Sequence, residues 1–214
     1  MRRRVDRGEA SWGALPKTKQ REMYKVLWLW RSAAEQGQAN AQFNLSLTFK
    51  NGEGVKQDHA EAVRWWRKAA EQGDAAVQCN LGVAYASSEG VKQDHAEVVR
   101  WFRKAAEQGD AIAQLNLGVM YASGQGVKQD PAEAVRWYRK AAEQGDSNSQ
   151  HTLGCMHANG QGVKQDDAEA VRWFWKAAEQ DAHTSGIPRG SGSCGPERKT
   201  QAAKDRVSRC VMPL

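Results

Sequence analysis

The sequence lacks the features that usually mark a membrane protein or an enzyme. A membrane-spanning helix needs about 18 consecutive apolar residues, whereas the longest uninterrupted apolar stretch is Val26–Trp30. The catalytic signatures Ser-x-x-Lys, Gly-x-Ser-x-Gly and His-Glu-x-x-His are absent, and so is the phosphate-binding loop. We therefore predict no membrane span, no cofactor and no enzymatic activity.

The sequence consists largely of tandem copies of one repeat. The pentapeptide Gly-Val-Lys-Gln-Asp begins at residues 54, 90, 126 and 162, a constant spacing of 36 residues, and the sequence between copies varies little. A fixed period in this range is typical of solenoid proteins, in which each repeat buries its apolar face only by stacking on its neighbours. The pattern predicts an array of helix pairs.

Each repeat carries the start and stop signals of two helices. Asp58 precedes an alanine-rich segment and is followed three residues later by Glu61, a spacing typical of a capping box. Gly73 marks the end of the first helix, which we predict over Ala60–Gln72. The second helix is predicted over Asp74–Ser87, where apolar residues recur at helical spacing.

Two glycine patterns predict further features of the second helix and of the loop after it. Gly82, Gly118 and Gly154 lie inside the predicted second helices, where glycine costs about 1 kcal/mol against alanine. Their repetition predicts that another backbone passes too closely for a Cβ. In the loop, Ser88 replaces a recurring glycine, which predicts local strain if the position needs a positive φ.

The repeats divide the chain into three parts. The array, residues 23–180, comprises the repeats 23–58, 59–94, 95–130 and 131–166 and the partial repeat 167–180. It carries 18 Lys and Arg against 19 Asp and Glu, so the formal net charge of +6 belongs to the flanking segments. Residues 1–22 are predicted to be a disordered basic extension. Residues 181–214 are predicted to be a Gly/Ser/Pro linker and basic tail, either disordered or ending in a short capping helix.

The cysteines predict neither a disulfide framework nor a metal or redox motif. Cys79 and Cys155 lie on second helices two repeats apart, a separation of roughly 20 Å for helices packed about 10 Å apart, and a disulfide needs Cα atoms within about 7 Å. His151, Cys155 and His157 are close in sequence, but only the first two share a helix face. We interpret them as substituted core positions, because zinc usually takes four ligands.

Three motifs keep their spacing in successive copies and carry a family resemblance. They are Ala-x-x-Trp-aromatic-x-Lys-Ala-Ala-Glu-Gln-Gly-Asp at 62–74, Ala-Gln-x-Asn-Leu-Gly-x-x-Tyr at 113–121 and Gly-x-Gly-Val-x-Gln-Asp at 124–130. The array thereby resembles the Sel1-like repeat family, which is related to the tetratricopeptide repeats. The resemblance implies an all-α fold, a right-handed α/α solenoid of 36-residue helix-turn-helix repeats. It also implies a bacterial adaptor whose first helices line a concave, protein-binding surface.

Two sets of side chains on the first helices form the candidate partner-binding groove. The arginine set is Arg64, Arg100, Arg136 and Arg172, and the tryptophan set is Trp65, Trp101, Trp137 and Trp173. Repeated guanidinium groups suit the carboxylates of an acidic peptide, and tryptophan often anchors protein partners. The alternatives are a solvated face of ion pairs for the arginines and a buried core for the tryptophans. The neighbouring aromatics are predicted to be core: Trp66, Phe102, Tyr138 and Phe174.

These observations predict a non-enzymatic interaction scaffold or adaptor that binds a protein or peptide in the concave groove, with an acidic partner favoured by the arginines. The alternative is a protein that binds or hydrolyses cell-wall or β-lactam compounds. The resemblance implies this alternative only through the cysteine-rich branch of the Sel1-like repeat family. That branch carries a pair of cysteines in each repeat, which this sequence does not.

No specific nucleic-acid partner is predicted, since only the flanking segments are basic and no recognition motif is present. The expected compartment is the cytoplasm, because no signal peptide is visible, or the periplasm or exterior if translation starts elsewhere. The sequence leaves the partner's identity and the oligomeric state open.

Overall fold

The structure is a computed structural model, and it describes residues 17–184. These residues form nine α-helices and no β-strand, which confirms the all-α repeat array. The helices are α1 (Lys17–Glu35), α2 (Ala39–Asn51), α3 (His59–Glu71), α4 (Ala75–Ala86), α5 (His95–Glu107), α6 (Ala111–Ser123), α7 (Pro131–Glu143), α8 (Ser147–Asn159) and α9 (Asp167–Thr184).

Odd-numbered helices are the first helices of the repeats and even-numbered helices are the second. The predicted spans of α3 and α4 differ from the observed ones by one residue at each end. Helix α1 starts at Lys17, so its first turns belong to the segment that was predicted to be a basic extension. The capping helix suggested for the C-terminal tail lies outside the described residues.

The chain divides into two compact units, residues 1–101 and 102–214, and the boundary falls inside α5. In the first unit α1 packs on α2, α2 on α3 and α3 on α4. In the second unit α6 packs on α7, α7 on α8 and α8 on α9. Each unit therefore contains helices that are neighbours in sequence, as expected of a stacked array.

Each unit has its own apolar core of side chains from successive helices. In the first, Trp65 of α3 joins Leu45 of α2 and Ala34 of α1 in one buried cluster. In the second, Tyr138 of α7 and Trp173 of α9 lie in another. The variable aromatics predicted to be core are 1–4% exposed, so that prediction is confirmed.

Half of the predicted capping box forms. The carboxylate of Asp58 accepts the backbone N–H of Glu61 at 3.0 Å, as an N-cap should. The prediction of the second bond, from the backbone N–H of Asp58 to the Glu61 carboxylate, is wrong. That N–H donates instead to the carbonyl of Phe49 at 2.9 Å. The Glu61 carboxylate is thereby released to bind side chains of its own helix, Arg64 and Trp65.

A buried glutamine near the start of each second helix ties it to the end of the first. Gln114, for example, is 4% exposed, and its Nε2 donates to the carbonyl of Ala106 at 3.0 Å. Its Oε1 accepts from Gln144 at 2.8 Å. Because buried polar groups need partners, these bonds fix how the helices of a repeat meet. The same bond recurs from Gln42, Gln78 and Gln150.

Two of the recurring helix glycines, Gly118 and Gly154, do face a close neighbour, but the neighbour is an aromatic ring and not a backbone. A Cβ on Gly118 would lie 2.7 Å from the ring of Tyr138, and one on Gly154 would lie 2.5 Å from the ring of Phe174. The predicted strain in the loop is present as well. Ser88 has a φ of 58° and is the one non-glycine residue with positive φ among those described.

Candidate functional site

All four members of the arginine set are exposed on the first helices. Their side chains are 57–78% exposed, and each guanidinium pairs with the glutamate three residues earlier in sequence, at 2.9–3.3 Å. Pairs this exposed contribute only about 0–1 kcal/mol. Since a guanidinium has five N–H donors, one such pair leaves most of them directed at solvent. The four arginines therefore fit both interpretations. They form a solvated face of ion pairs, and each also keeps N–H donors that a partner could bind.

The tryptophan set lies in the core. Its four side chains are 1–7% exposed. The indole N–H groups of Trp65 and Trp101 donate to Glu61 and Glu97 at 3.0 and 2.9 Å. Rings buried to this degree offer almost no area for a partner to contact. Their proposed role as direct anchors stays a prediction.

Lysines lie over three of these buried indoles. The ammonium groups of Lys68, Lys140 and Lys176 are 4.4, 4.0 and 4.2 Å from the ring centroids of Trp65, Trp137 and Trp173 respectively. Cation–π contacts in this range contribute about 0.5–1 kcal/mol at exposed sites. The tryptophans therefore hold cations at the surface, one helical turn from the arginines.

The glutamates beside the arginine set are already occupied within their own helices. Both oxygens of Glu61 accept side-chain donors, one from Arg64 and one from Trp65. Asp166, the N-cap of α9, accepts the backbone N–H of Glu169 at 3.0 Å, and this bond lowers the pKa of the aspartic acid. Because the glutamate at each position of the arginine set is already bonded, the unused donors there are cationic.

A sequence model of the Sel1 repeat matches residues 39–74, 75–110, 111–146 and 147–181. The chain belongs to the Sel1 repeat family. The matched Sel1 repeats have the predicted period of 36 residues, but each begins at a second helix, whereas the predicted repeats begin at a first helix. Sel1 repeat proteins generally mediate protein–protein interactions and are generally non-catalytic.

Two solved structures resemble this Sel1 repeat protein over most of its length. The protective antigen c5321 of uropathogenic Escherichia coli, which displays an SLR fold, shares 35% identity over 86% of this chain with a TM-score of 0.71. This chain covers only 40% of c5321. A Sel1 repeat protein from Oxalobacter formigenes shares 33% identity over 94% of this chain and 84% of its own, with a TM-score of 0.70.

A sequence comparison with curated proteins gave no match. Within residues 17–184, no helix is long and apolar enough to cross a membrane. Over the same residues, no group of three or more His, Cys, Asp and Glu side chains is placed to hold a metal ion.

Of the three residues His151, Cys155 and His157, the first two lie together and the third lies apart. His151 Nδ1 and Cys155 Sγ are 3.9 Å apart, as their shared face predicts. His157 is buried elsewhere, at 7% exposed, and neither ring nitrogen has a hydrogen-bond partner within residues 17–184. Cys79 is buried and forms no disulfide, which confirms that it does not pair with Cys155.

Proposed function

We propose that this Sel1 repeat protein is a non-enzymatic scaffold that binds an acidic segment of a partner protein through the arginine set and the neighbouring lysines. The observation that carries the proposal is the exposure of all four arginines, each of which is paired with only one glutamate of its own helix. A carboxylate brought to this surface meets unused N–H donors, and charge-assisted bonds of this kind are among the stronger polar contacts.

The family supports a protein as the partner, and the charges on the first helices support an acidic one. Sel1 repeat proteins generally bind proteins. The lysines held over the tryptophans add positive charge beside the arginines without engaging a carboxylate. An extended acidic segment would satisfy several of these donors together, so that weak exposed contacts add up to measurable affinity.

The test is a binding measurement with a labelled oligoglutamate peptide and an oligoglutamine peptide of equal length. The variant carries Arg100→Ala and Arg136→Ala, one change in each compact unit. The control carries Lys56→Ala and Lys164→Ala, which remove the same charge from exposed loop positions. Circular dichroism before and after each change verifies that the helices remain.

We expect the wild type to bind oligoglutamate more tightly than oligoglutamine. The two exposed contacts together are worth about 0.4–2 kcal/mol, so the arginine variant should bind oligoglutamate about twofold to thirtyfold more weakly. The lysine control should lose less, and the loss in both should shrink as salt rises. Equal affinity of the arginine variant and the lysine control would remove the arginine set from the account.

A further inference from the structure

Each compact unit contains a cavity built from the same register of the repeat. The volumes are about 580 Å³ in the first unit and about 520 Å³ in the second. An arginine of a first helix, a tyrosine of a second helix and a lysine of the following loop line both cavities. These residues are Arg67, Tyr85 and Lys92 in the first unit, and Arg103, Tyr121 and Lys128 in the second.

The tyrosine hydroxyl holds the arginine in place. Arg103 Nη2 donates to the hydroxyl of Tyr121 at 2.6 Å, and the guanidinium lies 5.9 Å from the centre of the same ring. Arg67 donates in the same way to Tyr85, at 5.8 Å from its ring centre. A hydroxyl that accepts this bond has no charge, so the arginine keeps its positive charge uncompensated.

Another repeat in the chain shows what happens without the hydroxyl. Phe49 occupies the tyrosine register there, and Arg31 occupies the arginine register. Arg31 pairs instead with Glu35, four residues along its own helix, at 3.1 Å. Arg103 has Glu107 at the same spacing, yet over the described part of the chain these two form no ion pair. In the two repeats with a tyrosine at this register the arginine bonds its hydroxyl, whereas Arg31 pairs with its helix glutamate.

The other charges favour an anion in the second cavity. Its one acidic residue, Asp130, is engaged as the N-cap of α7, accepting the N–H groups of Ala132 and Glu133 at 3.0 Å each. Lys128 is exposed and has no ion-pair partner among the residues that the structure describes. Two cations thus face the cavity, and its only carboxylate is already bonded.

The first cavity is built the same way but is less positive. Glu97 and Arg100 line it as a bonded pair at 2.9 Å, and Asp94 caps α5. Glu71 also lines it, and among the described residues this acid has no ion-pair partner. A ligand carboxylate would be repelled by Glu71, so the first cavity should bind an anion more weakly than the second.

We propose that both cavities are subsites for carboxylate side chains of the acidic partner segment, with the second cavity the stronger. Arg103 and Lys128 grip the carboxylate, and Tyr121 is a positioning residue that keeps the arginine available. The inference rests on the proposed function, since it names the chemistry by which the same scaffold holds its partner. It adds a second set of cations that the arginine set does not include.

The test removes one oxygen atom and leaves the rest of the cavity unchanged. Tyr121→Phe deletes the hydroxyl that holds Arg103, and it copies the phenylalanine that the chain already uses at residue 49. Tyr138→Phe is the matched control, because it deletes a hydroxyl of the same unit at a register where the chain also uses phenylalanine. Both variants are titrated with the labelled oligoglutamate peptide, and their thermal midpoints are measured alongside.

We expect Tyr121→Phe to weaken oligoglutamate binding about threefold to tenfold, the range for the net loss of one ordinary hydrogen bond, since the arginine loses its fixed position but keeps its charge. Tyr138→Phe should leave the affinity unchanged. In an Arg103→Gln background, Tyr121→Phe should have no further effect, since the hydroxyl acts only through the arginine. A structural role alone would lower the thermal midpoint without this dependence on Arg103.

The outcomes separate this inference from the proposed function. If Tyr121→Phe binds oligoglutamate as the wild type does, while the Arg100→Ala and Arg136→Ala variant binds more weakly, the second cavity is not the stronger carboxylate subsite. The inference is then overturned and the scaffold proposal stands. If the wild type does not prefer oligoglutamate to oligoglutamine, both proposals fail. A loss for Tyr121→Phe that persists unchanged in the Arg103→Gln background would also overturn the inference.

Discussion

Replacing Ser88 with glycine should stabilise the protein. Ser88 has a φ of 58°, whereas glycines with φ between 67° and 73° occupy the same register in three other repeats: Gly52, Gly124 and Gly160. The left-handed conformation costs a residue with a Cβ about 1–2 kcal/mol. Glycine avoids this penalty, but it also raises the conformational entropy of the unfolded chain, which offsets part of the added stability. The net expectation is about 1 kcal/mol of added stability.

Urea unfolding of the wild type and Ser88→Gly measures this difference at a fixed temperature. For a chain of this size, 1 kcal/mol also corresponds to a rise in Tm of about 2–4 °C. Ser87→Gly is the control, because Ser87 has a φ of −85° and its hydroxyl donates to the carbonyl of Val83 at 3.0 Å. That variant should be neutral or less stable.

The converse change tests the same reasoning in another repeat. Gly160 has a φ of 67°, and a Cβ there would meet Gln165 at an ordinary 3.4 Å, so Gly160→Ser should destabilise the protein mainly through its backbone conformation. A Ser88→Gly variant no more stable than the wild type, with Gly160→Ser equally unchanged, would refute the assignment of strain to this register.

Two further predictions concern the cores. Gln114→Met removes the buried bond to Ala106 and one of the two bonds that Gln144 Nε2 donates, so it should cost about 1–3 kcal/mol in urea unfolding. Gln125→Met on the exposed loop should cost little. Burial raises the pKa of Tyr138 to about 12. The folded state therefore loses stability as the pH rises from about 10, the unfolded value, toward 12. Unfolding of Tyr138→Phe across this range should show a smaller loss than the wild type, and equal losses would contradict the assignment.

Much of the fold follows from local signals in the sequence. The 36-residue period, the aspartate caps and the terminal glycines predicted the helix pairs, because each signal acts within one turn of the residue that carries it. The recurrence of Gly118 was also informative, since it marked a real close approach. The neighbour's identity was not predictable, because the ring of Tyr138 reaches it from a different helix.

The candidate site was harder to predict, for a physical reason. The arginine set was visible because its members recur at one register, and exposure follows from the helix periodicity. The pairing of Arg103 with Tyr121 joins residues 18 positions apart on different helices, and only the packing of those helices shows it. The sequence did contain one signal of this pairing. Tyrosine appears at this register in two repeats, and Phe49 replaces it in the repeat where Arg31 pairs with Glu35.

The central claim is that exposed arginines of the first helices bind an acidic segment. The most direct measurement follows the side-chain Nε–H signals of the arginines by NMR during titration with oligoglutamate. We predict saturable shifts for Arg64, Arg100, Arg136 and Arg172, none of which appears with oligoglutamine. Unmoved arginine signals at a peptide concentration that produces binding would contradict the account.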